Sequence, residues 1–307
     1  MNMSAWKRAG VALTATAVVV GVAGCQDDGD AKTGAKAQSR GDVTKVIQAA
    51  YEKTAEAKSA KVTMTMSMSG VGAESGTAEM TGVQGWNPAV MDITAKGSML
   101  AAGDPEAPEK IRMVMADNVM YVEMDAKQAA EMDGKRWMKL DMKAAAEASG
   151  DKALQKQMTG GLEGLNQDPA QQLALLLDSP NLKHVGAEKV NGMETQHYKG
   201  TLTVEQMLAS NESAKVLSKK DHDALVANMK KLGMKGYDTE VWVNEAGYPA
   251  RMNVAMTMGE GSMKMRADYS DYGTEATVKT PPAEDTVDLF QMLKELSDAL
   301  GKGGAQG

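Results

Sequence analysis

The chain has 307 residues, 34 basic and 41 acidic, for a net charge of −7. With no basic cluster along it, that balance excludes a nucleic-acid-binding role and broad electrostatic adhesion to anionic lipid. Methionine is heavily used, 26 residues against a single phenylalanine, and the lone cysteine, Cys25, has no partner for an internal disulfide.

Lys7 and Arg8 give a positive start. Ala9 to Val22 is an uncharged run rich in Ala and Val, and Val22-Ala23-Gly24-Cys25 ends it with small residues before the cysteine. That order is the layout of a secretory signal peptide. At about 15 residues the run is shorter than the roughly 20 that span a bilayer, so cleavage is expected rather than a retained anchor. Val22 to Cys25 looks like a lipobox, which makes residues 1–24 the leader and Cys25 the lipidated residue. Acyl chains contribute about 0.8 kcal/mol per buried CH2, so two or three of them hold a domain at a membrane. Residues 26–41 contain no Val, Ile, Leu or aromatic side chain. They cannot bury enough apolar surface to offset their ordering entropy and read as a flexible tether. The folded domain is then expected over 42–300, with 301–307 as a short tail.

Residues 43–58 carry apolar side chains at helical spacing. Lys61 to Ser69 alternates apolar and hydroxyl residues without a fault, the pattern of a strand with one greasy face. Gly70 to Gly76 reads as the turn after it. Further strands are expected over 77–85, 88–97, 110–117, 118–125 and 135–142, joined by short turns that make the pairing antiparallel. The stretch 143–178 changes to Ala, Gln and Leu, with Asp168-Pro169 as a helix start. Strands return over 182–190 and 193–203 around Asn191-Gly192, a strong hairpin signal. Helices are expected over 204–217 and 221–232, then a meander over 237–244, 248–258 and 262–271, a strand over 274–279, and a last helix over 284–300. This pattern gives an α+β fold: one large curved antiparallel sheet with helices packed on its concave face.

Catalytic chemistry finds no footing. His184, His197 and His222 lack zinc-helix spacing, and no G-x-S-x-G elbow or phosphate-binding glycine loop is present. His197 lies in a strand and reads as a structural, hydrogen-bonding residue. No catalytic residue, metal ligand or cofactor is expected, and Asp27, Asp28 and Asp30 read as tether residues rather than a calcium loop.

Three stretches carry a family likeness: Gly186 to Tyr198 (GAEKVNGMETQHY), Val241 to Arg251 (VWVNEAGYPAR), and Asn118 to Val122 with Gly134 to Leu140. Together, behind a lipobox, they resemble the actinobacterial LppX/LprG-type lipoproteins, which share the fold of the carrier LolA. The resemblance covers most of 43–290. It implies a half-barrel closed by helices over an apolar cavity that takes acylated lipids or acyl chains, on a lipoprotein at the outer face of the cytoplasmic membrane. The candidate cavity residues are Val62, Met64, Met66 and Met68, then Met113 and Met115, then Leu162, Leu165, Leu173, Leu176 and Leu177. Two functions follow. The chain is a monomeric, non-catalytic lipid carrier or chaperone, or it is an envelope sensor that uses the same fold to bind a protein partner. A carrier needs an open cavity mouth, whereas a sensor needs only a filled interior.

Overall fold

The alternation at 61–69 is realised as β1 (Ser59–Val71). Val62 is buried, Met64, Met66 and Met68 are partly so, and Thr63, Thr65 and Ser69 are exposed. Successive side chains on a strand point to opposite faces, which sorts them in this way. The computed structural model describes residues 38–71, 74–101, 107–141, 144, 168–210, 219–231, 233–292 and 295. The leader, Cys25, most of the tether, Leu162, Leu165 and the tail lie outside them.

Helix α1 (Arg40–Ala57) begins earlier than the apolar spacing suggested. Ser39 Oγ accepts from Asp42 N at 3.3 Å, satisfying an otherwise orphaned first-turn donor. Arg40 donates to the carbonyls of Pro180 and Ser179, so residues 39–41 belong to the folded domain rather than to the tether. Val43, Ile47, Ala50 and Thr54 form the buried stripe of α1.

The strands that follow β1 are β2 (Glu74–Trp86), β3 (Ala89–Lys96), β4 (Lys110–Ala116) and β5 (Val119–Glu123). Strands β1 and β2 both reach into the stretch expected as a turn, and their pairing is irregular only between Met68 and Val71, where Gly70 has a φ of 66°. A short helix not anticipated from the sequence, α2 (Ala126–Glu131), comes next. Its capping box is legible in hindsight: Asp125 Oδ1 accepts from Gln128 N at 2.8 Å, and Gln128 Oε1 accepts from Asp125 N at 3.1 Å. This helix shortens the flanking strands, leaving β6 as Trp137–Leu140.

Helix α3 (Pro169–Asp178) starts where Asp168-Pro169 indicated, with Asp168 Oδ1 accepting from Ala170 N at 2.7 Å. Then come β7 (Lys183–Val190), β8 (Met193–Leu202), α4 (Val204–Ser210) and α5 (Lys219–Lys231). The closing meander is β9 (Met234–Asn244), β10 (Pro249–Met258) and β11 (Gly261–Ser270).

All of these strands and a last one, β12 (Thr286–Asp288), lie in a single open sheet of order β12-β6-β5-β4-β3-β2-β1-β11-β10-β9-β8-β7. Two departures from expectation occur at the C-terminal end. Residues 274–279 form no strand, and the strand that does form takes the place of the first turn of the expected last helix. It also pairs with β6 in parallel, Thr286 opposite Trp137, so the sheet is not wholly antiparallel. Only a short hairpin enforces antiparallel pairing, and β12 arrives from far along the chain. Charge fixes it there: Arg136 Nη2 donates to Asp285 Oδ2 at 2.7 Å and Lys139 Nζ to Asp288 Oδ2 at 3.0 Å.

Helices α1 and α3 pack against each other and on one face of the sheet, as the α+β reading required. Ile47 and Leu173 are fully buried there, joined by Val62, Tyr198, Val241, Met252 and Ala267. Burying one such side chain contributes about 1.5–3 kcal/mol. Close approach of α3 to β8 depends on Gly200. A Cβ there would stand 2.7 Å from Leu176 Cδ1 and 2.7 Å from Ser179 Oγ. Ser179 cannot yield, since its hydroxyl donates to Thr201 O at 2.9 Å and accepts from Thr201 N at 3.0 Å. Gly200→Ala is therefore expected to destabilise the fold by about 1–3 kcal/mol through overpacking, read from the denaturant midpoint.

Candidate functional site

Register decides what the inner face of the sheet displays. Met66 of β1 lies beside Met265 of β11 and Met68 beside Met263. On the other side of β11, Met263 lies beside Met256 of β10 and Met265 beside Val254. Paired residues in an antiparallel ladder share a face, with Cβ atoms about 4.5–5.5 Å apart. Across β2, Gly76 stands opposite Met68. Its missing side chain is replaced by Met99, whose Cγ lies 2.8 Å from where a Cβ would be.

This face has two halves. In the first, Val62, Met115, Leu173 and Leu176 are buried in the main core, and Met64, Met113 and Leu177 pack against it. Those seven cavity candidates therefore come together, four within the main core and three packed against it. In the second half, Met66, Met68, Met256, Met263 and Met265 are only partly buried. Two of these, Met256 and Met265, pack with Leu175 and Met207 on Leu202, Tyr237 and Val254. The buried Tyr237 hydroxyl donates to Gln172 of α3. Burial pushes the Tyr237 phenol up to about 12, so it stays neutral and ties helix to sheet. Candidates Leu162 and Leu165 lie outside the described residues. Met256, Met263, Met265 and Met99 were missed from the sequence. The alternation in 248–258 and 262–271 matched that of 61–69, and the meander placed the first two side by side, but nothing in it revealed that 262–271 pairs with 61–69.

Two clefts open elsewhere, and neither is lined by the cavity candidates. One of about 600 Å³ lies between α2, β6 and β12, with Lys135, Lys139, Asp288 and Glu295 on its walls. The other, about 480 Å³, lies between α1 and the β9–β10 turn, lined by Val46, Ala50, Tyr198 and Val243. Lys53 closes its rim by donating to Ala246 O at 2.5 Å.

The outer face carries a polar cluster around Trp242. His197 stacks on the indole, with centroids 4.1 Å apart and 12° between planes. The indole Nε1 donates to Glu188 Oε2 at 2.7 Å. Arg251 lies over the same ring at 5.9 Å and donates to Asp268 Oδ1 at 2.7 Å. Beyond the stacking, His197 Nδ1 lies 3.5 Å from Glu188 Oε2, and its buried Nε2, 3.8 Å from Glu240 Oε1, has no hydrogen-bond partner. His184 Nε2 instead meets Gln196 Oε1 at 2.7 Å. Among the described residues, no three His, Cys, Asp or Glu side chains group as a metal site. No helix among them is long and apolar enough to cross a membrane.

A large open sheet with a greasy inner face, part filled and part lined by methionine, defines the class of the protein. No protein-family model matches the chain. It is 30% identical over 272 residues to a 31.2 kDa protein of Streptomyces griseus known by its place between rplA and rplJ, a match covering 84% of this chain and 82% of that one. The chain belongs to the family of that Streptomyces protein. A Streptomyces coelicolor relative, provisionally named a lipoprotein, is 24% identical over 128 residues, 42% of this chain and 35% of its own length. Among solved structures, the chain is similar to the lipoprotein LppX of Mycobacterium tuberculosis at 13% identity and a TM-score of 0.43, covering 78% of this chain and 100% of that one.

Burial lowers the His197 pKa from its ordinary 6.5, against the opposing pull of Glu240 and Glu188 and with smaller contributions from Lys199 and His184. A depressed histidine binds its proton more readily in the unfolded chain. Its contribution to stability is therefore full above the unfolded value and is lost as pH falls through 6.5 toward the folded value. Between neutral pH and about pH 5, the native chain is expected to lose more unfolding free energy than His197→Phe, which keeps the stacking and removes the titration. Parallel denaturant titrations of the two proteins measure the difference.

Proposed function

We propose that this chain is an exported envelope lipoprotein, anchored through lipid on Cys25, that holds a lipid or acyl chain against the methionine-lined half of its inner sheet face. The observation that carries the reading is the partly exposed row of Met66, Met68, Met263 and Met265 beside a filled core. Acyl chains are flexible and irregular, and the unbranched, polarizable methionine side chain adapts to such shapes better than branched residues do. The role is non-catalytic, a carrier or chaperone on the outer face of the cytoplasmic membrane. Residues 1–24 act as the leader, and the stretch from Cys25 to about residue 38 is the tether. The lipoprotein names among its relatives support the anchor, as does the small-residue stop before Cys25. A second reading rests on the other half of the face. Four expected cavity residues are core and three more pack against it, and a filled interior suits a sensor that binds a protein partner instead of a lipid.

The full chain, made in an actinobacterial host and purified in detergent, is extracted with organic solvent and its extract analysed by mass spectrometry. An acylated ligand at about one per chain, lost on Met66→Trp and on Met263→Trp in folded protein, is the expected result. A folded native chain that yields no lipid overturns the carrier reading in favour of the protein-partner one. Independently, Cys25→Ala is expected to move the protein from the membrane pellet to the soluble fraction. The wild-type N-terminal peptide should carry acyl mass on Cys25.

A further inference from the structure

We infer that the methionine cluster at the open half of the inner face is a binding site for a soft monovalent cation, Cu(I) or its analogue Ag(I). Thioethers are soft, uncharged donors that select Cu(I) over the harder divalent ions. The sheet register sets three strands' worth of them side by side: Met66 by Met265, Met68 by Met263, and Met263 by Met256. Neighbouring Cβ atoms on such a face are about 4.5–5.5 Å apart, within the span that two flexible methionine side chains close to bring their sulfurs onto one ion.

Three features separate this cluster from a generic greasy lining. Where the same face is sealed by helices, methionines are present too, but Met91, Met115 and Met252 are buried among Val62, Leu173, Leu176 and Val241 and closed to an ion from solvent. At the open half, β1, β10 and β11 present Met66, Met68, Met256, Met263 and Met265, all partly exposed and so reachable by an ion from solvent. Leucine would line a lipid groove as well, but it offers no donor. Finally, no grouping of His, Cys, Asp or Glu among the described residues competes for a metal. An uncharged donor set also suits a monovalent ion on an apolar face, because it brings no buried anion that would need separate compensation.

The inference does not depend on lipid binding, and lipid content is measured by mass spectrometry on the same preparation. The test is an anaerobic titration of the full chain in detergent with Cu(I) held by bicinchoninate, with ascorbate present. All proteins carry Cys25→Ser so that no thiol contributes. The chain is expected to withdraw about one Cu(I) per molecule through sulfur donors. The volume-conserving triple variant Met66→Leu, Met263→Leu, Met265→Leu is expected to bind more than about tenfold more weakly. Met193→Leu, exposed on β8, is expected to bind like the parent. Uptake by the parent that the triple variant retains in full, or no uptake by the folded parent, overturns the site. Should the triple variant fail to fold by circular dichroism, X-ray absorption of the copper-loaded parent decides. A first shell of sulfur alone supports the site, and a nitrogen or oxygen shell overturns it.

Discussion

The pairing of β1 with β11 is the constraint on which the rest of the structure depends. It joins Lys61 to Ser270 and Ser69 to Ser262, across some two hundred residues of intervening chain, and unites two meanders into one sheet. Closing so long a loop is entropically unfavourable, though the cost grows only slowly with length. What offsets it is the apolar row that forms only when the strands meet in register. A slip of one residue would turn Thr63, Thr65 and Ser67 inward and Met64, Met66 and Met68 to solvent, so the hydrophobic pattern itself enforces the register.

Everything on the inner face follows from that alignment. Helices α1 and α3 settle over the end of the sheet that carries Val62, Tyr198, Val241 and Ala267, and Gly200 lets α3 approach β8 closely. The remaining half keeps its methionines partly open. The lipid and soft-cation proposals rest on one property of these side chains, a polarizable sulfur on a flexible stem. The outer face is organised by different physics. Trp242 is held between His197 and Arg251, and Asp268 accepts from Arg251, Arg266 and Asn191, so charge pairing covers an aromatic ring that solvent would otherwise reach.

The C-terminal segment shows how local reading fails. Residues 284–300 suggested a helix, yet Thr286 to Asp288 extend along β6 because Asp285 and Asp288 find Arg136 and Lys139 there. Helix α2 is the opposite case. Its capping box at Asp125 and Gln128 was legible, and extending the preceding strand to residue 125 hid it.

By itself the sequence determined the alternating strands, the Asn191-Gly192 hairpin, the start of α3 at Asp168-Pro169, and hence the α+β class. Each of these is written in neighbouring residues, through side-chain period, turn chemistry or capping. Only the tertiary structure decided that Met66 meets Met265, that Leu173 and Leu176 are buried in the main core, and that β12 runs parallel to β6. Those outcomes are contacts between residues distant along the chain. Any strand with the same alternation could have supplied the partner, and the choice was made by closing the whole sheet at once.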